Sequence, residues 1–292
     1  MAKINGIYSA LLVPFDASGK VIEKGLRQVV RHNLDVCQVD GLYVNGSSGE
    51  TFMLSTEEKK LIFEIVKDEV QDQATLIAQV GSINLHEAIE LGEFATTLNY
   101  DCLSAVTPFY YKFDFAEIKY YYDSIIAATG KDMFVYSIPS FTGVNLSRSQ
   151  FEQLFQNEKI IGVKFTSGDF YLLERIKRNF PGKLLFSGFD EMLLSAAVMG
   201  IDGAIGSTFN VNGKRAKEIL ASVRQGNLQN ALAVQHETND LIEEILALGI
   251  YQTLKGILKV KGIDAGVCRE PMKRFDQNRR DEVKRLVDRF SL

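Results

Sequence analysis

The sequence predicts an α/β fold, a (β/α)8 TIM barrel followed by a C-terminal helical appendage. Three observations predict it. Eight short apolar or β-branched runs alternate with longer amphipathic segments in one unbroken series over residues 1–225 of the 292. Most of the runs are continuously apolar rather than alternating, as parallel strands covered on both faces are. The first run leads into Val13-Pro14-Phe15-Asp16, without the G-x-G-x-x-G turn that an open doubly wound sheet, the rival architecture, usually carries there.

The strand candidates are 7–12, 41–45, 75–80, 102–106, 133–138, 160–165, 183–187 and 203–206. Helical patterns lie between them. Residues 21–36 place Ile22, Leu26, Val29, Val30 and Leu34 at helical spacing. Residues 56–69 follow Ser55-Thr56-Glu57-Glu58, a capping box in which Ser55 and Glu58 satisfy each other's backbone ends. Residues 85–98 turn Ala88, Ile89, Leu91, Ala95 and Leu98 inward, and residues 115–128 follow Asp114. A second capping box, Ser147-Arg148-Ser149-Gln150, opens 147–156. Segments 170–180 and 190–199 follow Asp169 and the Gly188-Phe189 turn, and 214–224 completes the eighth unit. Beyond it, 227–248, 251–262 and 279–290 are helical patterns with no partner strands. The expected organisation is a catalytic barrel over 1–225 and a three-helix extension over 226–292.

Composition narrows the function classes. The net charge is −4 and Lys and Arg are spread along the chain, so no basic stripe marks a nucleic-acid partner. No apolar stretch reaches the roughly 18 residues a membrane helix needs. The start, Met1-Ala2-Lys3-Ile4-Asn5-Gly6, lacks the long apolar core of a secretory signal. Cys37, Cys102 and Cys268 are far apart and odd in number, which argues against a disulfide framework or thiolate metal site and suits a reducing cytoplasm. His32, His86 and His236 all read as helix-surface positions, so neither a metal site nor an acid–histidine–nucleophile set is expected.

In barrels of this kind reactive residues cluster at the C-terminal ends of the strands. Lys164 stands there, at the end of Ile160-Ile161-Gly162-Val163-Lys164 and before Thr166, Ser167, Gly168 and Asp169. A free lysine has a pKa near ~10.4, so about one in ~2,500 is neutral at pH 7. Lowering that pKa to ~7 takes about 4–5 kcal/mol of differential destabilisation of the ammonium, which apolar neighbours such as Val163 and Phe165 suit. The neutral amine could attack a ketone and form an imine, an electron sink for carbanion chemistry at the adjacent carbon. Position alone also fits a lysine that merely reaches solvent.

Tyr136 ends the preceding strand, in Met133-Phe134-Val135-Tyr136-Ser137-Ile138-Pro139. It fits a proton donor and acceptor for the lysine, and equally a packing aromatic. The turn Asn45-Gly46-Ser47-Ser48-Gly49-Glu50-Thr51 offers backbone N–H groups and two hydroxyls to a carboxylate, or is an ordinary glycine turn. Asp190 and Glu191 open a helix, where pairing with its dipole accounts for acids without any ligand. Tyr110 and Tyr111 fit covers of the barrel mouth, and Tyr120, Tyr121 and Tyr122 fit packing or an interface.

Gly46-Ser47-Ser48-Gly49-Glu50, Tyr136 in V-Y-S-I-P and Lys164 in G-V-K-F-T-S-G-D together resemble the N-acetylneuraminate lyase and dihydrodipicolinate synthase superfamily, pyruvate-using class I aldolases that work through a Schiff base. The likeness runs through nearly the whole chain, including Ala105-Val106-Thr107-Pro108-Phe109-Tyr110-Tyr111 and Gly188-Phe189-Asp190-Glu191. Within the superfamily the chain is most similar to the sialic acid lyase branch. The resemblance implies that Lys164 forms the imine and Tyr136 shuttles the proton. It further implies that Ser47 and Ser48 hold the keto-acid carboxylate, and that Thr166, Gly188, Asp190, Glu191 and Ser207 bind hydroxyls of the sugar tail. Tyr110 would support Tyr136, across a subunit contact in a homotetramer. Implied partners are sialic acid, pyruvate and N-acetylmannosamine, with no cofactor or metal. The synthase branch has an arginine shortly after the strand-five proline, where Phe141 follows Pro139-Ser140 here; an apolar residue suits a sugar acid better than a second carboxylate. Ser48 stands where many lyases have Thr, and Phe141 where some have Leu. Rival readings are a dihydrodipicolinate synthase, a keto-sugar-acid aldolase, or a sugar-acid binder without turnover.

Overall fold

The structure, a computed structural model, describes residues 4–292. Met1 to Lys3, part of the segment read above for a leader, lie outside the described residues. Eight parallel strands close into a barrel in sequence order. They are β1 (Gly6–Ala10), β2 (Gly41–Val44), β3 (Thr75–Gln79), β4 (Cys102–Val106), β5 (Met133–Ser137), β6 (Ile160–Phe165), β7 (Leu184–Ser187) and β8 (Gly203–Gly206). Around them run α1 (Glu23–Arg31), α2 (Thr56–Val70), α3 (Leu85–Thr97), α4 (Phe115–Thr129), the short α5 (Pro139–Thr142), α6 (Arg148–Phe155), α7 (Phe170–Asn179), α8 (Leu193–Val198) and α9 (Phe209–Arg224). The chain ends in α10 (Leu228–Leu248), α11 (Ile250–Val260) and α12 (Arg280–Arg289).

Local chemistry explains the element starts. Both expected capping boxes form, Ser55 with Glu58 on α2 and Ser147 with Gln150 on α6. Asp114 and Glu117 make a third on α4. Each such cap stabilises its helix by about 1 kcal/mol. α9 begins at Phe209, earlier than the periodicity indicates, because a kink at Asn212 (φ −128°) interrupts the pattern. Asn210 inside that turn donates to the Ala10 carbonyl and accepts from the Leu12 amide, tying α9 to β1.

Two apolar layers form the core. Met133, Val135, Ile160, Val163 and Phe165 face outward to the helices, whereas Tyr8, Tyr43, Phe134, Tyr136 and Phe186 fill the barrel interior. Phe186 meets both Tyr8 and Phe134 edge-on, at 5.4 and 5.3 Å between ring centroids. Burying each such ring contributes about 1.5–3 kcal/mol.

His32 departs from expectation. It is buried, 5% exposed, where a π-helical turn (His32–Val36) continues α1 and brings Nε2 to 3.3 Å from the Cys37 Sγ. Burial, aided by the charge of Lys261, pulls its pKa down to about 4, so the ring is neutral. His86 and His236 are exposed as read. Among the described residues no cluster of three or more His, Cys, Asp or Glu could hold a metal, and no helix is long and apolar enough to cross a membrane.

Candidate active site

Tyr136 and Lys164 occupy paired positions on β5 and β6. The ladder between these strands is irregular at its foot: Met133 pairs with Ile160, but Phe134 pairs with Gly162. Ile161 is therefore an extra residue on β6, a bulge. Ile160 packs outward and Ile161 against the interior cluster, and beyond the bulge Val163 packs outward while Lys164 faces in.

Lys164 is 4% exposed, and its Nζ lies 3.9 Å from the centre of the Tyr136 ring and 4.1 Å from that of Tyr43. Tyr43 and Tyr136 themselves meet edge-on at 6.0 Å. Burial among these rings lowers the amine's pKa to about 7; the Asp190 carboxylate opposes that shift by favouring the ammonium. Burial raises the Tyr136 phenol to about 12, against the lowering influence of Ser47 and Thr166 beside its hydroxyl. The phenol thus starts protonated while the amine is poised near neutrality.

A cavity of about 250 Å3 opens above the pair. Its walls include Ser47, Ser48, Tyr136, Lys164, Thr166, Gly188, Asp190, Glu191 and Ser207, so the residues to which the resemblance assigns a role converge on one space, with one exception. Tyr110 does not line it: on the loop after β4 it is 83% exposed, with a left-handed backbone (φ 76°). A larger groove, about 900 Å3 and lined by charged residues of α1 such as Glu23, Arg27 and Arg31, contains none of these strand-end residues.

Each wall has a local cause. Ser47 to Gly49 form a single 3-10 turn, and among the described residues the amides of Ser47 and Ser48 find no backbone acceptor. Two free N–H groups side by side are an anion-binding arrangement. The Ser48 and Ser207 hydroxyls are hydrogen-bonded. Asp190 accepts from the Thr208 amide at 2.8 Å and its hydroxyl at 2.6 Å, yet burial still pushes its carboxyl up to about 6. Gly188 and Gly206 leave necessary room: a Cβ on the first would meet the Thr166 Oγ1 at 1.8 Å, and on the second the Asp190 Oδ1 at 1.8 Å. The Thr166 Oγ1 is a buried polar group beside the cavity, next to the Tyr136 hydroxyl.

Sequence reasoning missed several wall residues. Tyr43, buried beneath the amine, sits one residue from the end of a fully apolar strand, so its inward parity was the only clue. Tyr251 on α11, with Ile242 and Leu246 on α10, closes the cavity from the C-terminal helices, and nothing in their amphipathic pattern announces a ligand wall. Thr208 was readable only as the residue after Ser207.

A barrel whose mouth carries a buried, easily neutralised amine beside a phenol and an anion-binding turn is built for covalent chemistry on carbonyl compounds. The sequence model of the dihydrodipicolinate synthetase family matches residues 3–290. The N-acetylneuraminate lyase of Fusobacterium nucleatum subsp. nucleatum is 61% identical over 287 residues, covering 98% of this chain and 99% of that one. A crystal structure of the F. nucleatum lyase complexed with pyruvate superposes with a TM-score of 0.94 at 61% identity, covering 98% of this chain and 97% of that one. The structure of CdNal from Clostridium difficile in complex with mannosamine superposes with a TM-score of 0.98 at 59% identity, covering 99% and 100%. The chain belongs to the dihydrodipicolinate synthetase family, and within it groups with the N-acetylneuraminate lyases.

Proposed function

We propose that the protein is a class I aldolase that cleaves N-acetylneuraminate reversibly to N-acetylmannosamine and pyruvate. The observation that carries this reading is the Lys164 amine, buried against two tyrosine rings and held next to Tyr136 by strand pairing. Open-chain substrate presents its C2 ketone to the neutral amine. Nζ adds to C2, water leaves, and an imine links C2 to Lys164. Removal of the C4 hydroxyl proton then breaks the C3–C4 bond, the electron pair passes into the imine as an enamine, and the aldehyde sugar departs. Protonation at C3 and addition of water return pyruvate and the free amine.

Tyr136, protonated at the start, donates to the leaving oxygen in imine formation and afterwards carries the proton taken from the C4 hydroxyl. The amides and hydroxyls of Ser47 and Ser48 take the C1 carboxylate, and Thr166, Gly188, Asp190, Glu191 and Ser207 take the polyhydroxyl tail. In this reading residues 1–225 supply the chemistry and 226–292 form a three-helix extension bordering the cavity. Phe141 at the cavity wall favours a sugar acid over the dihydrodipicolinate synthase reaction, since it offers no cation to a second carboxylate.

The same reading takes the working form as a cytoplasmic homotetramer. In support, Cys37, Cys102 and Cys268 are free buried thiols. Tyr110, Tyr111 and Phe52 are exposed aromatics, and a second cavity of about 270 Å3, whose wall includes Phe52 and Phe109, adjoins the first at Ser47 and Phe141. Tyr110 of a neighbouring subunit would reach Tyr136 through that opening. Borohydride reduction in the presence of pyruvate, read by mass spectrometry, should fix a pyruvyl adduct on Lys164. An assay coupling pyruvate release to lactate dehydrogenase should respond to N-acetylneuraminate; silence in that assay would remove the substrate assignment.

A further inference from the structure

The turn that offers its amides to the carboxylate is followed by a residue with no evident business in a ligand site. Glu50 adopts a left-handed backbone (φ 62°, ψ 34°), a conformation that costs a non-glycine residue about 1 kcal/mol or more, and its side chain is 0% exposed. Its carboxylate is fully engaged from the far end of the chain. Lys255 on α11, 1% exposed, donates to Oε1 at 2.6 Å, and the Arg269 amide donates to Oε2 at 2.7 Å. Lys255 also donates to the Val267 carbonyl at 2.7 Å and stands 4.7 Å from the centre of the Phe15 ring.

We infer that Glu50 and Lys255 are a positioning pair, through which α11 holds the Ser47–Gly49 amides in the geometry that receives the substrate carboxylate. The inference rests on the proposed aldolase reading. Three observations carry it. A buried ion pair is a poor way to gain stability, because desolvation offsets most of its attraction and an apolar pair of similar volume does as well or better. What such a pair does supply is a fixed direction, and here it fixes the residue that closes the turn, whose amide donates to the Ser47 carbonyl at 3.0 Å. The seat beneath is tight: a Cβ on Gly49 would lie 3.2 Å from both the Leu11 carbonyl oxygen and the Val13 Cγ2, so the turn packs closely on the end of β1 and a small shift of Glu50 is felt by its amides. Finally, Lys255 lies one helical turn beyond Tyr251, which lines the same cavity, so one helix face sets both the lid of the site and its anion turn.

The test uses Lys255→Met, Glu50→Gln and the apolar double variant Glu50→Leu/Lys255→Met in the full chain, with wild type alongside. Measured are Tm, kcat and KM for N-acetylneuraminate, and the pyruvate concentration that half-saturates borohydride trapping on Lys164. The single variants should raise KM and the pyruvate half-saturation roughly ten- to a hundredfold, as expected for a misplacement near 1 Å. The double variant should recover Tm while keeping the raised half-saturation, and it carries the test if the single variants do not fold. Recovery of both Tm and wild-type half-saturation in the double variant would overturn the inference, as would unchanged half-saturation in the singles. Absence of pyruvate trapping in the wild type would overturn the aldolase reading and this inference together, whereas trapping that the variants leave untouched overturns this inference alone.

Discussion

The hydroxyls of Ser48 and Ser207 meet at 2.6 Å, joining the turn after β2 to the turn after β8 across the end of β1. Neither serine is then free to swing, and the carboxylate turn has a second brace besides Glu50. Ser207→Ala removes one hydrogen bond of ordinary strength, about 0.5–1.5 kcal/mol. The half-saturating pyruvate concentration for borohydride trapping should rise by roughly two- to tenfold, with little change in Tm. Unaltered half-saturation would show that the bond has no part in holding the turn.

Tyr136→Phe keeps the ring that packs against Lys164 and Tyr43 but removes the proton carrier. Steady-state kinetics should show kcat lower by roughly 10²–10⁴-fold, the usual range for loss of a general acid–base group. Circular dichroism melts should be close to wild type. Activity within a few-fold of wild type would mean that another group moves the proton.

Asp190 faces Lys164 closely enough for its charge to favour the ammonium. Asp190→Asn removes that influence, so the amine should lose its proton at lower pH. The rate of borohydride trapping with pyruvate, followed from pH 5 to 9, should rise around pH 7 in wild type, and the midpoint should move downward in the variant. An upward movement would contradict the assigned direction.

Lys164→Met tests the cost of the buried amine. The folded amine titrates near 7, against 10.5 in an unperturbed lysine. Between those values the unfolded chain binds the additional proton, so stability rises with pH from about 7 to 10.5. Below pH 7 the folded state carries the full penalty, of order 4–5 kcal/mol at ~1.36 kcal/mol per unit. The variant should be the more stable protein at pH 6 in denaturant titrations, with the advantage shrinking toward pH 10. A constant difference across that range would show that the amine is not desolvated.

Much of this was legible in the chain because the barrel writes itself as repetition. Apolar strand runs and capped amphipathic helices recur in order, and reactive side chains must fall at strand ends. Lys164, Tyr136, Asp190 and the glycine–serine turn were therefore findable from position and residue type. What stayed hidden depends on contacts between distant segments. Lys255 reads as one more lysine on an amphipathic helix, and only folding sets it against Glu50, 205 residues away. Tyr251 is concealed in the same way. His32 was placed on the surface because helical periodicity gives no warning of a π-helical turn, which changes the face a residue presents. Tyr110, expected to act across a subunit contact, is exposed and stands outside the cavity of its own chain.

The unpaired rung at Ile161 has a consequence for anyone moving this chemistry elsewhere. Counting by twos from Ile160, which packs toward the helices, Lys164 would share that outward side. The reactive nitrogen points inward only because the strand spends one residue out of step below it. A designer who copies the lysine and its neighbours onto a regular strand, matched at the foot, would obtain a folded barrel with its nucleophile wedged against the surrounding helices. The irregular rung has to travel with the lysine.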